Sequence, residues 1–152
     1  MTNRTEKILP LLGLGACLNG DQVLYNGMSK RNNLQVLRLQ EHFQLRAFCP
    51  EVSIGLGVPR QPIRLVGSTD APQAMDSESQ TDNHTVALEN FACDVLRQEP
   101  ALCGYVLVKG SPSFGYERVK RYDKLGNLLA RDSSDQAFMR PYPDALQLRS
   151  QI

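Results

Sequence analysis

Two apolar segments of this chain each end in a cysteine, and the stretch between them carries a helical pattern. Lys7 to Cys17 is rich in Leu and closes on Gly13, Gly15 and Ala16. That suits a buried strand entering a tight turn, where backbone must approach something closely. Gln44 to Cys49 reads as a second strand. Between them, Asn32 or Asn33 can cap a helix whose apolar positions Leu34, Leu37 and Phe43, with Val36 and Leu39 beside them, give a helical face. Asn19-Gly20 and Asn26-Gly27 mark turns around Val23 to Tyr25. Strand, helix and strand in this order predict a parallel pair joined by a right-handed crossover. Cys17 and Cys49 then reach the same carboxyl edge, where ligands of such sheets gather.

The rest of the chain extends this pattern. Leu102 to Lys109 contains Gly-Tyr-Val-Leu-Val, a third buried strand by composition, with Ser111-Pro112-Ser113 at its carboxyl end. A helix precedes it from about Thr85 to Glu99, with Leu88, Ala92, Val95 and Leu96 on one face, Cys93 bordering that face as packing, and Pro100 as the stop. Pro62 to Val66 reads as a short edge strand that opens on a proline. Ser68 to His84 is mostly polar and cannot offset its ordering entropy by apolar burial, which predicts a mobile surface loop over 68–84. Glu117 to Tyr122 reads as extended, Asp123 to Asn127 as a turn, and Ser133 to Met139 as the start of a short last helix. The fold class is therefore α/β, a mainly parallel sheet flanked by helices in a Rossmann-like layered architecture. With 152 residues, 41% of them hydrophobic, one core and one domain over 1–152 are expected.

Seventeen Lys plus Arg against sixteen Asp plus Glu leave a net charge of +1, so the field of the whole chain would not hold nucleic acid. Lys109, Arg118, Lys120, Arg121, Lys124 and Arg131, with Tyr116 and Tyr122 interleaved, form a looser basic stretch that can track a phosphate backbone. Glu117, Asp123 and Asp132 dilute it, and a solvated surface is the simpler account. No apolar run approaches the roughly 18 to 20 residues that cross a bilayer, so no membrane partner is expected. Four cysteines in a chain this large do not make a secreted disulfide scaffold, and the expected setting is cytoplasmic with reduced thiols.

Cys49-Pro50-Glu51 and the Gly- and Pro-punctuated run Gly55 to Val66 stand between Gly15-Ala16-Cys17 upstream and the segment Lys109 to Gly115 downstream, Lys-Gly-Ser-Pro-Ser-Phe-Gly. Taken together over nearly the whole chain, these motifs resemble the thiouracil desulfidase (TudS-like) family. The family pattern closes on Ser-Pro-Ser-Cys-Gly, whereas Phe114 stands here at the cysteine. It also reads Val-Arg-Tyr-Asp-Gly where this chain has Val23, Leu24, Tyr25, Asn26 and Gly27. The resemblance implies a four-iron four-sulfur (4Fe-4S) cluster on three thiolates, with one iron left open for the sulfur of a thiolated nucleobase or nucleoside such as thiouracil or 4-thiouridine. The carbon–sulfur bond is then hydrolysed without net redox change. It further implies Cys17 and Cys49 as metal ligands, Glu51 as the acid/base group and Ser111 as a catalytic polar group. Lys30, Arg60, Arg64 and Ser113 fall on the substrate side. The bland alternative for Arg60 and Arg64 is a pair of solvated charges beside a Pro-rich turn. Some relatives act on tRNA with an additional domain that this chain is expected to lack.

Phe114 leaves the third ligand open. Cys103 begins the third strand, and seven extended residues of about 3.3 Å each put it on the order of 20 Å from the site. Cys93 and His42 sit on helices that do not aim at the edge. Two thiolates can hold a weak or smaller cluster, a zinc ion with water and carboxylate, or nothing. Three readings follow. The first is a desulfidase-family protein with a degenerate or altered cluster. The second is an active non-redox desulfidase with an unusual cluster, and the third a nucleotide- or RNA-binding module.

Overall fold

Strand β1 (Leu11–Gly15) runs through the middle of a parallel sheet, and its composition explains why it can. Both of its neighbours are strands, so it carries apolar residues and glycine with no polar face. In the computed structural model, which describes residues 8–30, 34–79, 81–113, 115 and 119–132, this sheet has the order β2-β1-β5, with β2 at Gln44–Phe48 and β5 at Leu102–Val106. The register pairs Gly15 with Phe48 and Leu14 with Val106. Gly13 is required by its neighbour, since a Cβ there would run into the Tyr105 ring. Each strand hands its carboxyl end to the same edge. β1 enters the short helix α1 (Ala16–Asn19), and β2 enters α3 (Pro50–Ser53) through Cys49.

Helix α2 (Leu34–Leu39) lies between them, but not on the expected face. Leu34 and Leu37 are exposed, whereas Val36 is buried and Leu39 and Phe43 are half-buried. Positions 36, 39 and 43 follow the helical spacing as well as 34 and 37 do, so a helix of one or two turns carries two apolar stripes and packing chooses between them. The expected caps Asn32 and Asn33 lie outside the described residues.

A second sheet has the order β4-β3-β6-β7, formed by β3 (Ile63–Val66), β4 (Gln73–Asp76), β6 (Val119–Tyr122) and β7 (Leu128–Asp132). β3 pairs antiparallel with β4 and parallel with β6, so it is an interior strand and not the expected edge. Pro62 precedes the ladder, where its missing N–H costs no pairing. The segment 68–84, expected as loop throughout, contains β4 and buries Pro72 and Ala74. Its polar residues supply the local bonds that order it. The Ala74 N–H donates to Thr85 Oγ1 at 2.9 Å, and the Asp76 carboxylate accepts from Glu78 and Ser79 N–H, both at 2.9 Å.

Helix α4 (Thr85–Gln98) joins the two sheets energetically. Its Leu88 packs with Ile63, Leu65, Ala74 and Val119, while Ala92, one turn on, packs with Cys17 and Val108. Cys93 and Leu96 are exposed instead of packed. The turn expected at Asp123 to Asn127 is present, its Asp123 carboxylate accepting from Leu125 and Asn127 N–H at 2.8 Å. The helix expected from Ser133 lies outside the described residues. Among those described, no helix is long and apolar enough to cross a membrane.

Candidate functional site

The loops after β1, β2 and β5 meet at the carboxyl edge of the parallel sheet and enclose a cavity of about 290 Å³. Cys17, Lys30, Cys49, Glu51, Arg60, Ser111 and Ser113 all line it. The loop after α1 closes back on Cys17, whose carbonyl accepts the Lys30 N–H at 2.9 Å. Leu24, at the position where the resemblance leads one to expect arginine, packs with Val23 and Leu18 against the Cys17 cluster and makes that wall apolar. Asn26 keeps the turn, its Oδ1 accepting the Met28 N–H at 3.1 Å.

Arg64 does not join this group. Side chains alternate along a strand, and with Leu65 buried in the core its neighbour Arg64 turns away, its guanidinium 5.4 Å from the centre of the Tyr122 ring. It lines a second hollow of about 260 Å³ with Lys120 and Tyr122. Arg121, also of the basic stretch, donates to the Gly67 carbonyl at 2.6 Å.

Glu51 stands in the first turn of α3, after Cys49 as N-cap and Pro50. Both carboxylate oxygens are engaged. Arg60 Nε donates to Oε2 at 2.8 Å, and Ser113 Oγ donates to Oε1 at 2.7 Å. Ser111 Oγ lies 3.4 Å from Ser113 Oγ and extends the chain of hydroxyls. The same guanidinium donates from Nη2 to the Val23 carbonyl at 2.7 Å and from Nη1 to the Gly57 carbonyl at 3.1 Å, while the Arg60 N–H donates to Tyr25. The Arg60 and Glu51 side chains are only 8% and 13% exposed. An ion pair this buried persists when hydrogen bonds satisfy both charges, and here they do. Arg60 therefore binds protein at Nε, Nη1 and Nη2, which the sequence reading of an anion-binding or solvated arginine missed. No local pattern signals the full set, because the Val23 carbonyl comes from the loop after α1, 37 residues away in sequence.

The thiols share this enclosure. Cys17 is buried and Cys49 half-buried, with Cys49 Sγ 4.0 Å from the Val23 carbonyl. Burial pushes both thiols above the ordinary cysteine range. Lys30 opposes this at Cys17 and the charge of Cys49 adds to it, while Glu51 adds to it at Cys49.

This donor set does not fit a four-iron cluster on three thiolates. Cys93 and Cys103 are exposed on α4 and β5, His42 is exposed after α2, and among the described residues no three His, Cys, Asp or Glu side chains converge as a metal site. Phe114, which has no donor atom, lies outside the described residues. Gly115 is described and buried, and a Cβ there would run into the Ser111 carbonyl oxygen and stand 3.0 Å from that of Val108. The Ser111–Ser113 loop is therefore a tight fold of backbone that only glycine closes.

The sequence profile described as 2-thiouracil desulfurase matches residues 12–140. A solved structure of a 4Fe-4S-dependent thiouracil desulfidase, TudS, superposes with a TM-score of 0.63 at 25% identity, covering 94% of this chain and 99% of that one. No curated protein matches the chain.

Proposed function

Because this chain belongs to the 2-thiouracil desulfurase family, we propose that it is a desulfidase relative that keeps the nucleobase cavity and has an altered or absent cluster. The observation that carries this reading is the pairing of two cavity thiols with a Glu51 already bonded at both oxygens, next to a chain that places Phe114 at the third ligand. A cavity of about 290 Å³ sits just below the roughly 300 Å³ at which drug-sized pockets begin, which suits a single thiolated base better than a larger ligand. Leu24, Phe48 and Val108 offer apolar surface to the faces of such a ring. Lys30 and Ser111, which line the cavity, offer polar contacts to its edge. Arg60 and Ser113 hold the Glu51 carboxylate in place, and Arg64 has no contact with the ligand. Within the basic stretch Arg121 donates to the Gly67 carbonyl and Tyr122 lies under Arg64, so these two are engaged by the protein itself.

The test is ligand binding against turnover. Wild-type protein should show a thermal shift with 2-thiouracil or 4-thiouridine and release no sulfide from either. Turnover by wild type would establish the second reading, an active desulfidase. That reading is favoured by the survival of the assembled Glu51, Ser111 and Ser113 group. Absence of any shift with either compound would remove the nucleobase cavity from the account.

A further inference from the structure

Cys17 and Cys49 remain as two thiols in one cavity without the third that a cluster requires, and the surroundings define what such a pair can hold. Gly15 and Phe48 are register partners on neighbouring parallel strands, about 4.8 Å apart. Cys17 follows two residues after the first and Cys49 one residue after the second, so the two thiols enter the cavity from adjoining strand ends. The oxygen donors nearby are committed, with Glu51 bonded to Arg60 and Ser113. Leu24, Phe48 and Val108 supply hydrocarbon to the remaining wall.

From this juxtaposition we propose that Cys17 and Cys49 form a two-thiolate site for a soft monovalent cation, Cu(I). The inference rests on the reading of a site without its cluster. Zinc in a protein takes four ligands, commonly with carboxylate or imidazole among them, and this cavity has neither to spare. Soft thiolates select Cu(I), a closed-shell ion that two sulfurs satisfy. On binding, each thiol gives its proton to solvent, two copper–sulfur bonds form, and copper stays in the +1 state, so no electron is transferred. Two thiolates and one monovalent cation leave a single negative charge. Lys30, which lines the same cavity and whose N–H is bonded to the Cys17 carbonyl, balances it.

The experiment uses the full chain purified without oxygen, with iron and acid-labile sulfide measured first. Cu(I) is then added in competition with bathocuproine disulfonate. The expected result is one Cu(I) per chain withheld from the chelator, with copper-edge absorption reporting sulfur neighbours only. Retention is lost in Cys17→Ser and in Cys49→Ser, and kept in Cys93→Ser and Cys103→Ser. Because Cys17 is buried, a second measurement uses wild type alone. Bound Cu(I) should shield Cys17 and Cys49 from iodoacetamide and leave Cys93 and Cys103 alkylated, as read by mass spectrometry. Iron-free protein that surrenders its Cu(I), or that binds it through Cys93 or Cys103, overturns the site alone. A full cluster in the starting protein overturns the reading beneath it and the site together.

Discussion

Arg60 joins α3 to the loop after α1 through a single guanidinium, donating to Glu51 and to the Val23 carbonyl. With both charged side chains below one-sixth exposure, removing either strands the other, and breaking a buried pair from one side costs about 3–5 kcal/mol. Arg60→Ala should therefore lower the urea midpoint strongly at neutral pH, and Arg60→Ala with Glu51→Gln should recover part of the loss. An unchanged midpoint in the single variant would show that the pair is not structural. The thiols carry the opposite sign of pH dependence from an ionised carboxylate. Burial raises Cys17 and Cys49 above their ordinary value of 9.0, so the folded state keeps protons that the unfolded chain releases above that pH. Their contribution is fully present below about pH 9 and is lost as pH rises through the folded values. A denaturation series from pH 7 to pH 10 should show this decline, and it should be shallower in Cys49→Ala. At position 114 the chain lacks a donor altogether, so Phe114→Cys should raise iron and sulfide content after reconstitution, and no rise would mean that the third ligand is not the missing part. Among single residues, Cys17, Cys49, Glu51 and Ser111 were legible as neighbours because each follows a strand end. Arg60 was expected beside them and lines the same cavity, but its bond to the Val23 carbonyl was not legible, because only the tertiary fold brings that loop to it.

At the scale of elements, β1 and β5 were readable because each is an apolar run bounded by turn residues, and β2, in which Gln44 and Arg46 are polar, because it follows the helical pattern and leads into Cys49. The second sheet was less so. β3 reads as an edge when Pro62 is weighed alone, yet β4 and β6 flank it, and long-range pairing of this kind leaves no local mark. β4 was hidden by its polar surroundings, since Pro72 and Ala74 bury themselves within a segment whose composition argues for loop. The short helix α2 shows the complementary failure, two stripes of equal spacing with only Val36, Leu39 and Phe43 packed. The loop after β5 is held by backbone at Gly115, where an added Cβ would meet the Ser111 carbonyl oxygen. Overpacking of this sort typically costs about 1–3 kcal/mol. Gly115→Ala should lower the melting temperature and weaken the thermal shift given by 2-thiouracil, because Ser113 moves away from Glu51. A variant with unchanged melting temperature and unchanged ligand response would mean that the loop relaxes without cost.

Across the whole molecule, α4 packs Leu88 into the core of one sheet and Ala92 beneath the thiol edge of the other, so the cavity rests on a buried apolar frame. Such a frame can outlast the loss of one ligand. It explains how the chain keeps a TudS-like fold over 94% of its length while its described residues bring only two thiols together. The claim that the cluster site is altered is tested most directly by iron and acid-labile sulfide per chain in protein purified anaerobically. Clearly fewer than four irons and four sulfides per chain is the result expected. Four of each, retained through gel filtration in wild type, would contradict it.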